Sequence, residues 1–346
     1  SVIEKTNNMR RTGDLPLLVL SQDYELFFGQ SGSLEKCLIE PCNLLLDFAA
    51  KRDIKVTFFV DAGMLVAMER EAASAPEVHR SLDRVRRHIG SLSDAGHEIG
   101  LHVHPHWEET RWESGAWRFG GTRYQLREFP EDEIERILES YANVLKDLSN
   151  DGLKSYRAGG FCVEPFDLIG ATLRRLGITL DSSVVPGAAL VDHDKGFDHR
   201  MAPDHGWWRF SDSPLSPDPN GEFLEIPVTP VRLPVSYYWF RLADRLLGRR
   251  STDMLGDGIS KSIGRREVIR RLAGAGLVSE LSLDAPKAGQ LIADRIESQQ
   301  REVWQVMGHP KLLGESSLRS LDLFMKRAGI RRTMTLSDLG SSVCVT

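Results

Sequence analysis

The chain has 346 residues, 41% of them hydrophobic and 27% charged, a balance close to the globular average that supports a large core without disulfide staples. With 44 Lys and Arg against 49 Asp and Glu, the net charge is −5 and the pI is near 6.1, which argues against nucleic acid as a main partner. No apolar run approaches the roughly 18 residues of a membrane span.

Residues 1–14 are a polar N-terminal segment without the apolar core of a secretory signal, and 15–346 read as one domain. Leu15–Leu20 has the pattern of a short buried strand. A helix over about 34–51 follows, then Lys55–Val60, a strand rich in β-branched and aromatic residues. A long helix is expected over Pro76–Asp94, where Val78, Leu82, Val85, Ile89 and Leu92 recur at steps of three and four. Ala95-Gly96 stops it, and Glu98–Leu101 opens a third strand. Residues 103–129 break the alternation with Trp107, Trp112, Trp117 and Tyr124; the aromatic content of so long a loop points to function. A helix over Glu131–Leu148, a strand over Lys154–Arg157, a helix over about 165–176 and a strand over Ile178–Asp181 come next. An irregular excursion over 185–222 leads to a strand at Phe223–Val228 and to an aromatic, basic insertion over about 235–280. Strand Leu281–Leu283, helix Ala288–Gln299, strand Val303–Met307 and helix Ser316–Ala328 complete the pattern. The four cysteines, Cys37, Cys42, Cys162 and Cys344, include no CxxC pair and read as reduced thiols, which favours the cytoplasm.

Strand–helix alternation over this length predicts an α/β fold, either a (β/α) barrel or a doubly wound sheet. In a barrel, chemistry sits at the carboxyl ends of the strands. Polar residues punctuate those ends here: Asp23 and Glu25, then His102, His104 and His106, then Arg157, Asp181 and His309. Three histidines within five residues, after a strand and before an aromatic loop, point to a divalent metal ion, since neutral imidazole is a common nitrogen ligand. A turn after His102 brings His102 and His106 together, whereas extended backbone puts His102 and His104 on one face. By the same alternation Asp23 and Glu25 share a face, one free to bind metal and the other to take a proton. His97, before the strand, reads as a structural hydrogen-bonding residue.

These residues together resemble the polysaccharide deacetylase family, the NodB-homology or carbohydrate esterase family 4 group. Ser21-Gln22-Asp23-Tyr24-Glu25 is similar to its TFDDG motif, Tyr24 standing where the family has a metal-binding aspartate. Gly96-His-Glu-Ile-Gly through His106 resembles its G-H-E-[IV]-G lead-in and H-x-x-x-H motif. Tyr156-Arg157-Ala158-Gly159-Gly160 resembles its arginine motif without the usual proline, Asp181-Ser182-Ser183 its D-x-S, and Gly308-His309-Pro310 its last histidine.

The resemblance spans about residues 15–336 and implies a distorted (β/α) barrel, of seven rather than eight strands, that deacetylates sugars with a divalent metal, zinc first among the candidates. It implies Asp23 as catalytic base held by Arg157, His309 as general acid oriented by Asp181, and Glu25, His102 and His106 as metal ligands. His104 and the aromatic rings of Trp107, Trp117 and Tyr124 are expected to bind substrate. A backbone N–H near Gly159-Gly160 is expected at the oxyanion. The expected partner is an N-acetylated sugar, nucleotide sugar or glycan, in polysaccharide or lipopolysaccharide biosynthesis. The 235–280 insertion covers the site, touches an anionic membrane surface or packs on the barrel. Two other readings stand: a hydrolase of another C–N bond with His102-Val103-His104 as an HxH metal pair, and a non-catalytic carbohydrate-binding barrel.

Overall fold

In a computed structural model, residues 16–121, 123–190, 196–247, 252–261, 265–274, 277–293, 296 and 299–344 are described. The polar segment 1–14, Leu15, and Arg249 and Arg250 of the insertion lie outside the described residues.

Seven parallel strands carry the fold: β1 (Leu17–Tyr24), β2 (Val56–Asp61), β3 (Glu98–Val103), β4 (Ser155–Ala158), β5 (Leu180–Asp181), β6 (Phe223–Glu225) and β7 (Val303–Gly308). They pair in the order β6-β5-β4-β3-β2-β1-β7. Trp208–Phe210 adds an antiparallel strand outside β6, and Arg332–Met334 pairs with the first residues of β1. All eight residues of β1 and all six of β2 are buried, as expected for parallel strands covered on both faces.

The sheet curls back on itself. Beyond β6, the amides of Ile226 and Val228 still bond to the carbonyls of Asp181 and Val184. Residues 281–283, expected as a strand, lie along the outer edge of β7 with one bridge, Ser282 to Met307. Leu281 there donates to the Thr229 carbonyl at 2.8 Å, so this segment joins the two ends of the curl. The result is the distorted α/β barrel that the sequence predicts.

The helices are α1 (Glu40–Ala50), α2 (Ala62–Ala72), α3 (Pro76–Asp94), α4 (Glu131–Lys146), α5 (Asp167–Arg175), α6 (Val235–Leu246), α7 (Arg265–Ala273), α8 (Glu315–Arg327) and α9 (Leu336–Cys344). The periodicity of α3 is realised: its five expected apolar residues are all buried. Each contributes up to about 1.5–3 kcal/mol by leaving water. α2, which follows β2 without a loop, was not anticipated. The expected helix from Ala288 is a 3₁₀ turn, Ala288–Ile292, beyond which description is partial. All four cysteines are free thiols, Cys37 and Cys42 inside the core.

His97 has the structural role expected of it. Its Nδ1 accepts the Val56 amide at 3.1 Å, and burial lowers its pKa to about 4. The unfolded chain binds a proton near pH 6.5, well before the folded one, so the native state loses stability as pH falls from 6.5 through 4. His97→Asn, whose side-chain oxygen can accept the same amide without titrating, is expected to remove up to about 3 kcal/mol of that acid loss. Urea melts at pH 7 and pH 4.5 measure it; an unchanged difference between the two pH values contradicts the assignment.

Candidate active site

Strand alternation builds the first part of the site. Asp23 and Glu25 point into the mouth of the barrel, whereas Tyr24 points the other way into the core, its hydroxyl 2.9 Å from His88 Nδ1 on α3. Tyr24 therefore takes no ligand position, and Glu25 supplies the second carboxylate at the mouth.

β3 supplies the imidazoles. His102, one residue before its end, is in register with Asp61 and Arg157 of the neighbouring strands, and the backbone stays extended through His104 (φ −112°, ψ 94°). His102 and His104 thus share a face. His104 Nε2 lies 2.7 Å and His102 Nε2 3.2 Å from Glu25 Oε2. One donor atom from each of the three residues lies within 4.8 Å of the other two, the one such metal-ready group among the described residues. Pro105 then starts a 3₁₀ turn, Pro105–Glu109, which carries His106 away. Its ring stacks parallel to Tyr124 at 5.8 Å and packs against Phe28. The geometry thus departs from the expected Glu25, His102 and His106: His104 completes the triangle, because the strand's two-residue period continues past its last hydrogen bond.

The three donors fit a divalent ion of the zinc type. His102 Nδ1 donates to the Arg157 carbonyl at 2.9 Å, an arrangement that presents Nε2 to the centre. Burial lowers His104 to a pKa of about 4, so it is neutral at pH 7. Burial opposes ionisation of Glu25, but Lys311 and the two imidazoles outweigh it and hold the carboxyl well below its usual range. Two imidazoles and one carboxylate are an established donor set for such ions.

Asp23 stands at 3.8 Å from His102 Nε2, gripped by Arg157. The guanidinium is fully buried; it donates to Asp23 Oδ1 at 2.6 Å and to the Ser182 carbonyl at 2.8 Å, and lies 4.2 Å over the Phe59 ring. Such a charge-assisted pair fixes one carboxylate oxygen and leaves Oδ2 facing the site.

His309 enters from the end of β7. Its Nε2 is 3.6 Å from Glu25 Oε1 and 3.9 Å from Asp23 Oδ2. Its partner is Asp284, which accepts from the His309 amide at 2.8 Å and faces Nδ1 at 3.1 Å. Burial opposes the charged ring, but Asp284, then Glu25 and Asp23, raise its pKa to about 9.

The expected partner, Asp181, lies elsewhere. It ends β5 in register with Glu225 of β6 and accepts from the Ser183 hydroxyl at 2.6 Å. Burial raises both carboxyl groups, Glu225 well above its usual value. Asp284 was missed although it follows the strand-like run Leu281–Leu283, where the strand-end rule applies equally. Lys311 was missed too; its ammonium bonds to Glu25 Oε1 and the Leu26 carbonyl, both at 2.7 Å.

The groups open on a cleft of ≈ 190 Å³, lined also by Phe27, Phe28, Tyr124, Gly160 and Phe161. Trp107 does not reach it: the ring is fully buried and its Nε1 donates to Asp61 Oδ2 at 2.5 Å. Trp117 packs edge-on against Trp107 and Trp112. Of the three aromatic residues expected at substrate, only Tyr124 lines the cleft. From the insertion, Ser260 and Lys261 line it, on a segment tied down by Ile259–Gln30 and Gly256–Lys311 backbone bonds.

Gly160 sits at φ +59° on the cleft wall, and Gly159 lies against His104. A Cβ on Gly159 meets His104 Nδ1 at 2.5 Å and the Val103 carbonyl at 2.6 Å. Gly159→Ala is expected to displace His104 and weaken divalent-ion binding about 10–100-fold, the range for disturbing a ligand's support. Calorimetric titration with Zn²⁺ tests this; unchanged affinity contradicts the placement.

No family model and no curated protein matches the sequence. Among solved structures, the fold is similar to that of a Mycobacterium smegmatis protein assigned as a polysaccharide deacetylase (15% identity, 94% of this chain and 91% of that one, TM-score 0.46). A carbohydrate esterase family 4 pseudoenzyme from Bacillus anthracis is similar at 11% identity (93% and 64%, TM-score 0.42). A 4-α-glucanotransferase from Thermococcus litoralis is similar at 12% identity (95% and 40%, TM-score 0.48).

Proposed function

We propose that this chain is a divalent-metal-dependent hydrolase that removes an N- or O-acetyl group from a sugar. One observation carries the reading: a base held by arginine (Asp23–Arg157) and an acid held by aspartate (His309–Asp284) flank one centre made by Glu25, His102 and His104.

A divalent ion held by those three residues, zinc the first candidate, would polarise the acetyl carbonyl and make water a better acid. Asp23 Oδ2 takes the proton of the attacking water, its other oxygen being committed to Arg157. His309, protonated at neutral pH by virtue of Asp284, gives its proton to the leaving nitrogen or oxygen. Lys311 keeps Glu25 ionised. Tyr124 and Phe161 flank the cleft where the pyranose ring would sit. Water adds across the bond, so the products are acetate and a free amine or hydroxyl on the sugar.

The substrate class we propose is an acetylated sugar, nucleotide sugar or glycan of polysaccharide or lipopolysaccharide assembly, processed in the cytoplasm. The free cysteines support that compartment. A second reading is favoured by one observation: His102 and His104 face Glu25 together, in HxH spacing, with His106 turned aside, which also suits a hydrolase of other C–N bonds. A panel of N-acetylated glycans and cyclic amides, assayed with Zn²⁺ for acetate and for ring opening, decides between them. Acetate from the glycans supports deacetylation; ring opening alone supports the second reading.

A further inference from the structure

Among the described residues eight large hydrophobic side chains are exposed, and six of them belong to the insertion: Ile259, and on or beside α6 and α7 Trp239 (54%), Phe240 (71%), Leu246 (77%), Leu247 (64%) and Ile269 (65%). On α6 they are not scattered. At about 100° per residue, positions 239, 240, 243, 246 and 247 fall within one arc of about 120°. All five, Ala243 included, are exposed. Tyr237 and Tyr238, on the other side, pack against the core. From Trp239 to Leu247, the residue that follows the helix, this outward face is apolar, Ser236 in the first turn being its polar member; that is the reverse of an ordinary surface helix and marks an interaction surface.

Charge selects the occupant. Residues 235–273 hold nine Lys or Arg against four Asp or Glu, a local charge of +5 in a chain whose total is −5. A symmetric dimer through this face would press the same positive segment against itself. An anionic surface complements it, and Trp, Phe and Leu on one face of a short helix within an arginine-rich segment are the composition of helices that lie in a lipid interface. No helix among the described residues is long and apolar enough to cross a membrane, so the contact is peripheral.

We propose that the exposed face of α6 docks the protein on an anionic lipid bilayer. Ser260 and Lys261 of the same insertion line the active-site cleft. That a lipid-held sugar is then the substrate rests on the deacetylase reading; docking itself does not.

The test is flotation of the full chain with vesicles of phosphatidylcholine, with and without phosphatidylglycerol, at low and high salt. Wild type is expected to float with the phosphatidylglycerol vesicles, less so at high salt, and weakly with phosphatidylcholine alone. Phe240→Asp with Leu247→Asp, both at exposed positions, is expected to cut partitioning about 100-fold or more, with circular dichroism unchanged. Wild type that floats with neither vesicle, or a double variant that binds as well as wild type, overturns the proposal. So does a solution dimer that the double substitution disperses, which would assign the face to a second copy. None of these outcomes bears on acetate release from a soluble glycan, so docking and deacetylation stand or fall separately.

Discussion

His309→Ala is expected to lower kcat for deacetylation by about 10²–10⁴-fold while the protein stays folded. The ring is one-fifth exposed at the end of β7, so its removal opens space towards solvent rather than a core cavity. Asp284 keeps the backbone amide of residue 309 as a partner, so no buried carboxylate is left unpaired. The loss falls on proton delivery to the leaving group. With a leaving group that needs no proton, such as an acetylated nitrophenol, the defect should shrink towards tenfold or less, because an acid matters most when the departing atom is basic. A variant that turns over an N-acetyl sugar at the wild-type rate removes His309 from the scheme. Asp284→Asn should mimic part of the defect and shift the basic limb of the pH profile downwards, since Asp284 is the main group raising the pKa of the ring to about 9.

The second large effect separates two adjacent histidines. His104→Ala is expected to weaken Zn²⁺ binding by about 100-fold or more, and His106→Ala to leave it within a few-fold of wild type. His104 Nε2 points at Glu25 Oε2 from 2.7 Å, whereas the His106 ring is stacked between Tyr124 and Trp107. Loss of His106 should show itself instead in KM, because Tyr124 lines the cleft and loses the ring it stacks on. Competition with a chelating dye gives both affinities. If the 106 variant loses the ion and the 104 variant keeps it, His106 rather than His104 is the ligand and the H-x-x-x-H spacing holds.

Much of this was legible in the chain. The strand-end rule placed Asp23, Glu25, His102, Arg157 and His309 around one mouth because parallel strands all deliver their carboxyl ends to the same side. Local alternation decided that Asp23 and Glu25 face together and Tyr24 does not. Where a run of His-x-His-x-His leaves its strand is not a matter of period, however. It depended on the backbone staying extended through His104 and turning only at Pro105, rather than just after His102. The partner of His309 was missed for another reason. Asp284 and Asp181 both end strand-like runs, and only the closure of the sheet, which sets residues 281–283 beside β7, tells them apart. The tryptophans of the 103–129 loop turned inward because Trp107 finds in Asp61 a buried acceptor from another strand, which no local pattern reveals.

The decisive measurement is acetate and free amine released from an N-acetylated sugar, quantified together with and without added Zn²⁺. Equal amounts of the two products, abolished by a chelator, restored by the ion and lost in Asp23→Asn and His309→Ala, are what a base and an acid on either side of one cation predict. Absence of acetate from every acetylated sugar in the metal-loaded protein, or release that persists unchanged in both variants, contradicts it.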